Sequence, residues 1–285
     1  MKDLYKIIES IIMDFYYRAL WNFRKDHGLN TERRNCNIVV SLTSFPGRIH
    51  IVHKTIRTLL MQKTKPDKIE LWLAVEQFPQ KVIPEKLKKL DKFGLTICWT
   101  TDSRSYKKLI PTLTNNQNSI IITCDDDVYY KRTWLQRLYA SYLKYPTDIH
   151  CHRATQMIHS NEGWSAIGGG QSYYHEASFL NKLVGIGGVL YPPKSLHEDV
   201  SKKELFMKLA PTNDDIWFWL MAVLNNCKVR VCEHNQHRPV DVLGAAKTAK
   251  LNTINDHGDM LFWKQFYNIL RYYPSLEHTL KQSIK

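Results

Sequence analysis

Strand-like and helix-like segments alternate along the first half of the chain. The predicted strands are 38–42, 69–75, 95–100 and 119–124. The unbroken apolar run at 120–122 is typical of a strand covered on both faces, and apolar residues between 49 and 60 recur at helical spacing. Because strands that alternate with helices form βαβ units, the sequence predicts an α/β fold around a mainly parallel sheet.

The rest of the chain carries further helical patterns. A short helix is expected to begin near Pro84 and to end at Gly94. The later predicted elements are helices at 131–144, 214–224 and 260–272 and a strand at 228–232. Between them, the glycine-rich segments at 168–170 and 185–188 interrupt a region rich in aromatic residues and histidine.

Apolar residues also recur at helical spacing between Leu4 and Phe23, with lysines and arginines elsewhere on the same helix. Two interpretations stay open: the helix packs on its own domain, or it lies on a membrane surface. No run approaches the ~20 apolar residues that span a bilayer, and the N-terminus lacks the pattern of a signal peptide. A cytoplasmic protein is expected, with peripheral contact at the cytoplasmic face of the inner membrane under the second interpretation.

The six cysteines contain no CxxC pair, and several of them, such as Cys98 and Cys124, fall in predicted strands. Such residues are typical of small buried thiols in a reducing compartment. The cysteines therefore favour a cytosolic protein without disulfides.

The chain is basic, with 40 lysines and arginines against 27 acidic residues and a formal net charge of +13. A basic surface suits nucleic acid, anionic lipid or negatively charged substrates, and the charge does not choose among them. The basic residues are dispersed, and no RNP-like or zinc motif is present. We expect no nucleic-acid partner, and a non-enzymatic nucleic-acid-binding protein is kept as an alternative.

Three adjacent carboxylates, Asp125, Asp126 and Asp127, directly follow the predicted strand at 119–124. In an open α/β sheet, ligands bind outside the carboxyl ends of the strands. Adjacent carboxylates repel each other, so a cation is expected beside them, and hard oxygen ligands favour Mg²⁺ or Mn²⁺. The alternative is an acidic turn that caps the next helix.

Five motifs follow one another along the chain: VSLTSFPGR at 40–48, SYKKLIP at 105–111, ITCDDDV at 122–128, GGVLYPP at 187–193 and TNDDIW at 212–217. In this order they resemble bacterial family-2-like glycosyltransferases of capsule and lipopolysaccharide clusters, over about residues 37–259. The resemblance implies a GT-A, Rossmann-like fold, whose mixed, largely parallel sheet has helices on both faces. It also implies an N-terminal helix at 1–35, a GT-A domain at 36–259 and a helical tail at 260–285.

The resemblance implies a metal-dependent enzyme that transfers a sugar from a nucleotide-sugar donor, most often UDP-linked, to a hydroxyl of a glycan or lipid-linked saccharide. An inverting displacement is expected, with Asp215 or its neighbour Asp214 as the base that takes the acceptor's proton. Asp215 is the better match to the family's position. An acid pair here also suits the start of the predicted helix, and the two roles are compatible.

Other site residues are expected from the same resemblance. The donor-binding set is Thr43, Ser44, Arg48, Asp102, Lys107, Lys108, Asp125, Asp126, Gly187 and Gly188. Asp127 is the expected direct metal ligand, with Asp125 facing the ribose or sharing the ion. His257 is the expected third ligand, with His234 and His237 as rivals. Trp164 and Trp217 are candidates for acceptor binding, although core packing is the commoner use of tryptophan.

A nucleotidyltransferase that makes the sugar nucleotide is the second alternative function. It shares the βαβ start and an acid-bound metal, but a Gly-rich, basic loop normally follows its first strand. The corresponding segment at 41–48 contains a single glycine. This loop therefore favours the glycosyltransferase.

Overall fold

The computed structural model describes residues 2–24, 27–167, 176–235, 239–245 and 261–284. The chain divides into two compact units. The first unit comprises Met1–Asp102, Lys107–Gln136 and Arg238–Ala249, and the second comprises Ser103–Tyr106, Arg137–His237 and Lys250–Lys285. The predicted domain boundaries at 35 and 259 stay predictions.

A parallel sheet forms the centre of the first unit. Its strands are β1 (Ile38–Thr43), β2 (Lys68–Ala74), β3 (Leu95–Thr100) and β4 (Ile120–Thr123), in the order β4–β1–β2–β3. Val40 of β1 lies opposite Ile69 of β2 and Ile122 of β4. Every residue of β4 is buried, as expected for a strand that is covered on both faces.

Four helices and a small antiparallel ladder complete the described part of this unit. The helices are α1 (Lys2–Asn22), α2 (Val52–Leu60), α3 (Glu85–Lys88) and α4 (Ile110–Asn115). The ladder pairs β5 (Val128–Tyr129) with β12 (Val240–Asp241). Gly94 ends the turn after α3 with a φ of 110°, and a Cβ at this position would lie 2.4 Å from Leu29 Cγ. The predicted stop at Gly94 is thus confirmed.

Helix α1 packs on the first unit through the side that carries Tyr17. This ring is 3% exposed and stacks on Tyr129, with 5.8 Å between ring centroids. Its hydroxyl donates to the Tyr130 carbonyl at 2.6 Å. The predicted apolar stripe faces solvent instead: Leu4, Ile7, Ile8, Ile11, Ile12, Phe15 and Phe23 are all at least 46% exposed. The interpretation in which the helix packs on its own domain is therefore confirmed, but aromatic and polar contacts on another side hold the helix and the predicted stripe does not.

The second unit is mixed. Its strand β6 (Ile149–Cys151) lies between β10 (Val189–Tyr191), which is antiparallel to it, and β11 (Val229–Val231), which is parallel. A separate antiparallel sheet has the order β8 (Gly163–Ile167), β7 (Ala154–Ser160), β9 (Asn181–Leu183). The helices of the remaining chain are α5 (Trp134–Lys144), α6 (Lys203–Leu209), α7 (Asp214–Leu224), α8 (Leu261–Tyr272) and α9 (Pro274–Gln282).

These elements confirm the predicted α/β class and the largely parallel pairing of the principal strands. The cysteine thiols are all free, and burial raises the pKa of Cys124 and Cys151 well above the ordinary value. Cys36 and Cys98 are half-buried. Within the described ranges, no helix is both long enough and apolar enough to cross a bilayer.

Candidate active site

The acid triplet (Asp125, Asp126 and Asp127) follows the last residue of β4 after one intervening cysteine. Neighbouring hydroxyl groups fix its backbone. The Asp125 amide donates to the Tyr130 hydroxyl at 2.9 Å, and the Thr55 hydroxyl donates to the Asp126 carbonyl at 2.9 Å. The structure therefore places the triplet at the carboxyl end of a buried strand, as predicted.

Two residues of the loop after β1 hold the Asp126 carboxylate. The Ser44 hydroxyl donates to Asp126 Oδ2 at 2.6 Å, and Arg48 Nη1 donates to Oδ1 at 2.7 Å. The side chain of Asp126 is only 6% exposed. Ser44 and Arg48 were predicted to contact the nucleotide, and here both of them bind the triplet. A nucleotide contact of either residue stays a prediction.

The other two carboxylates of the triplet are also paired with cations of the protein. Asp127 Oδ2 lies 3.1 Å from Arg48 Nη1, so one guanidinium nitrogen serves two acids. Asp125 Oδ1 lies 3.2 Å from Lys108 Nζ. The Asp125 side chain is 28% exposed, against 6% for Asp127. Each carboxylate has a cation within the chain, and Asp125 is the one that is open to a ligand.

The charges of this cluster depend on each other. Burial raises the pKa of Asp126, and the charge of Arg48 opposes this rise. Burial alone would lower the pKa of Arg48, but the negative charges of Asp126 and Asp127 outweigh it and the pKa is raised. Arg48 is therefore a permanent cation whose charge opposes the effect of burial on the pKa of Asp126.

A second ion pair lies beyond the end of β3. Lys107 Nζ donates to Asp102 Oδ1, and Gln77 donates to Asp102 Oδ2 at 3.0 Å. The Lys107 ammonium is nearly inaccessible, with 3% of its side chain exposed, whereas Asp102 is 34% exposed. Asp102 is thus the residue of this pair that is placed to meet a ligand.

Sequence reasoning missed a buried polar network on the sheet of the first unit. Thr112 Oγ1 lies 2.7 Å from Ser41 Oγ and donates to Glu70 Oε2 at 3.1 Å. The indole of Trp72 donates to Thr112 Oγ1 at 2.8 Å. A glutamate within the otherwise apolar strand β2 was the signal that marked this network. The predicted donor residue Thr43 also bonds inward, to the Trp72 carbonyl at 2.8 Å.

In the second unit, Asp215 binds a glycine turn. Its Oδ2 accepts from the Gly185 amide at 2.9 Å. The cap of α7 is Asn213, whose side chain accepts from the Ile216 amide at 3.1 Å. Asp214 and Asp215 are the first two residues of the helix. Neither acid is therefore its N-cap, and the helix start does not depend on the Asp215 carboxylate as a cap.

The predicted glycines Gly187 and Gly188 follow directly in this turn. Gly188 has a φ of 91°, a conformation that strains any side chain. A Cβ on Gly187 would lie 3.0 Å from Arg153 Cγ and 3.3 Å from its backbone nitrogen. Gly188 thus requires glycine for structural reasons, whereas a side chain at Gly187 would displace Arg153 by a few tenths of an ångström. The contact of both glycines with a donor stays a prediction.

The structure corrects the prediction that two tryptophans offer open faces to an acceptor. Trp217 is 0% exposed, and its indole donates to the Val200 carbonyl at 3.0 Å. Trp164 is 7% exposed and packs edge-on against Phe266, with 5.9 Å between ring centroids. Both indoles are core residues in this structure. The predicted role in acceptor binding is therefore wrong, because protein already covers the faces of both rings.

Asp125 and Asp127 are the described oxygen donors for the predicted Mn²⁺ or Mg²⁺. No group of three metal-binding side chains occurs within the described residues. The rival ligand His234 is exposed, whereas His237 and His257 lie outside the described residues. Mg²⁺ is commonly held by one or two carboxylates together with substrate phosphates. This donor set fits such an ion, and its binding stays a prediction.

No family model matches the sequence, and no curated protein matches it. Two solved structures of S. aureus TarS are similar in chain path. TarS 1-349 in complex with UDP is 16% identical with a TM-score of 0.48, covering 86% of this chain and 69% of that one. A second structure of TarS 1-349 is 17% identical with a TM-score of 0.46, covering 71% of this chain. The match spans about 59% of the length of that TarS structure.

A third similar structure is CMP:2-keto-3-deoxy-manno-octonic acid synthetase complexed with CTP. It is 13% identical with a TM-score of 0.39, covering 70% of this chain and 89% of that one. At these identities and scores, function rests on the residues of this chain.

The shared cation makes Arg48→Met a direct test of the cluster. We expect the free energy of unfolding to fall by about 3–5 kcal/mol, because two buried carboxylates lose their partner. Without Arg48 the pKa of Asp126 rises further, so protonation removes the buried charge as the pH falls, and the loss becomes smaller at acidic pH. Urea denaturation at neutral and mildly acidic pH measures both effects.

Lys88→Met, which removes an exposed cation, is the matched control and should have little effect. Addition of Asp126→Asn to the Arg48 variant should restore part of the lost stability. A loss that is independent of pH and unaffected by Asp126→Asn would contradict the pairing.

Proposed function

We propose that this protein is a glycosyltransferase that moves a sugar from a UDP-linked donor to a hydroxyl of a glycan or lipid-linked saccharide. The observation that carries the proposal is the acid triplet at the carboxyl end of β4. Its buried members are locked by Ser44 and Arg48, and Asp125 stays accessible beside Lys108. A preformed cluster of this kind suits a metal–diphosphate group, because carboxylates bind the ion and cations attract the phosphates.

A divalent ion held by Asp125 and Asp127 would supply charge stabilisation for the departing diphosphate. The chain's own cations add to this. Lys108 lies against Asp125 and is placed to meet the phosphates as a point charge, and the ion pair with Arg48 orients Asp127. Asp102, which forms an ion pair with Lys107, is proposed to contact the nucleotide base.

For the transfer step, we propose Asp215 as the general base of an inverting displacement. The acceptor hydroxyl loses its proton to this carboxylate as its oxygen attacks the anomeric carbon. Asn213 caps α7, and the Gly185 amide orients Asp215. Asp215 is partly exposed and Asp214 is buried, which supports Asp215 as the base.

Asp127→Asn tests the metal site while keeping the shape of the side chain. We expect the variant to lose the part of its UDP affinity that Mn²⁺ provides, because an amide oxygen is a neutral and weaker ligand. Calorimetric titration with UDP, with and without Mn²⁺, is the measurement. Asp91→Asn, at an exposed acid of the same unit, is the control. Wild-type, chelator-sensitive affinity in the Asp127 variant would remove Asp127 from the metal site.

Asp215→Asn tests the chemistry apart from binding. Turnover should fall by ~10²–10⁴-fold, because an amide cannot accept the proton. Donor affinity and fold should persist, since Asn213 still caps the helix. Asp214→Asn is the matched control, and rates at saturating donor and acceptor are compared. A larger loss of turnover in the Asp214 variant would identify Asp214 as the base. Near-normal turnover in both variants would contradict the inverting mechanism.

We also propose peripheral contact with an anionic membrane through the exposed apolar face of α1. Phe15 is 75% exposed and Ile12 is 60% exposed, and apolar residues on one helix face are typical of helices that lie in a membrane interface. Truncation is a poor test, because Tyr17 on the same helix belongs to the core. Phe15→Asp changes the exposed face and leaves the packed side intact.

The Phe15→Asp protein should co-sediment less with vesicles of phosphatidylcholine and phosphatidylglycerol than wild type does. Val82→Asp, at a residue that is 67% exposed outside α1, is the control for the added negative charge. Equal losses in both variants would show that charge alone, and no specific face of α1, governs vesicle binding.

A further inference from the structure

A basic pocket of about 440 Å³ lies between α1 and α2 in the first unit. Four cations line it, Arg18 from α1, Lys54 and Arg57 from α2, and Lys86 from α3. Asp14 is the one carboxylate among the described residues of the lining. With four positive charges and one negative charge, and with histidines neutral, the pocket has a net charge of +3. An anionic ligand is the complement of such a lining.

The single carboxylate of the pocket is already fully engaged. Asp14 Oδ2 accepts from Arg18 at 2.6 Å, while Oδ1 accepts from the Tyr129 hydroxyl at 2.7 Å and lies 2.9 Å from Lys54 Nζ. Asp14 therefore orients two of the cations. The charge of Asp14 also acts on Arg57, where it opposes the lowering of the pKa by burial and by the charge of Arg18.

Two buried nitrogen atoms of the lining have no hydrogen-bond partner among the described residues. They are Nδ1 of His53 and Nε of Arg57. His53 is 6% exposed, and burial lowers its pKa to about 4, with the charges of Arg57 and Lys86 adding to the effect. A buried polar atom without a partner is costly, and an oxygen atom of a bound anion would satisfy the Nε–H donor of Arg57.

The pocket borders the exposed apolar face of α1. Arg18 follows Ile11 by seven residues, or two helical turns, so both lie on one side of the helix. Ile11 is 50% exposed and Ile7 is 52% exposed. When this face lies in a membrane interface, the border of the helix is at the depth of the lipid headgroups.

We propose that this pocket binds the phosphate of an anionic phospholipid headgroup. The inference rests on the proposed membrane contact of α1 and is independent of sugar transfer. Apolar insertion of α1 holds the protein on the bilayer, and the pocket selects anionic lipid through Arg57 and Lys86. The pocket thus explains why cations cluster beside an otherwise apolar helix face.

The test compares Lys86→Gln with Lys89→Gln in the full chain. Both residues are exposed and belong to the same turn region, but only Lys86 lines the pocket. We measure co-sedimentation with vesicles of phosphatidylcholine alone and of phosphatidylcholine mixed with phosphatidylglycerol. Lys86→Gln should weaken binding to the anionic vesicles about fivefold, which corresponds to ~1 kcal/mol per basic residue at an anionic surface. Lys89→Gln should have a clearly smaller effect.

Arg57→Gln is a second variant and should weaken binding to the anionic vesicles further. Its folding is checked by thermal unfolding, because the Arg57 guanidinium also lies 5.1 Å from the Trp21 ring centroid. Equal losses for Lys86→Gln and Lys89→Gln would overturn the pocket while keeping the membrane contact, since charge alone would then explain binding. If the wild-type protein binds neither kind of vesicle, both the pocket and the membrane contact of α1 are overturned. Calorimetric binding of inorganic phosphate that Lys86→Gln abolishes, without a difference on vesicles, would assign the pocket to a soluble phosphate.

Discussion

Three neighbouring carboxylates at the end of a buried strand are the constraint on which this structure depends. Like charges about 4 Å apart repel by ~4 kcal/mol at an effective dielectric constant of ~20, and two of these acids are almost fully buried. Two cations of the same chain, Arg48 and Lys108, form ion pairs with these carboxylates. Because β1 and β4 are neighbours in the sheet, the loop after β1 reaches the triplet. The order of the strands therefore brings the positive charge of Arg48 next to the carboxylates.

The three acids of the triplet have different roles in this arrangement. Asp126 is a structural anchor that joins the loop after β1 to the end of β4. Asp125 is the accessible member, and Asp127 shares the guanidinium of Arg48 with Asp126. Preorganised charges of this type cost little reorganisation when charge develops on a ligand. The same division occurs at α7, where Asn213 caps the helix and Asp215 holds a glycine turn.

The sequence predicted those parts of the fold that have a strong period. The bounds of α7 and β3 were predicted to the residue, and β1 and β2 to within one. The short strands β5 and β6 were missed because so short a segment shows no period, whereas β11, which also has three residues, lies within the strand predicted at 228–232. For α1, spacing identified the residues that share a face, but it did not show whether that face meets protein or solvent.

The candidate site was predicted as a set of positions and not as a set of contacts. The triplet and Arg48 were both expected near the donor, but their ion pairs follow from strand order, which the local sequence does not contain. Trp217 was placed wrongly although a signal existed. From Ile216 to Val223 the chain has no polar residue, and a helix that is hydrophobic all round is buried.

Thermal unfolding of the full chain with a panel of nucleotide sugars tests most directly whether the acid triplet is a nucleotide-sugar site. UDP and UDP-N-acetylglucosamine are suitable first members, each measured with Mn²⁺ and with a chelator. We predict that one UDP-sugar in the presence of Mn²⁺ stabilises the fold, by ~2.7 kcal/mol when present at about 100 times its dissociation constant. No stabilisation by any nucleotide sugar, with salt-sensitive stabilisation by RNA or DNA instead, would contradict the assignment.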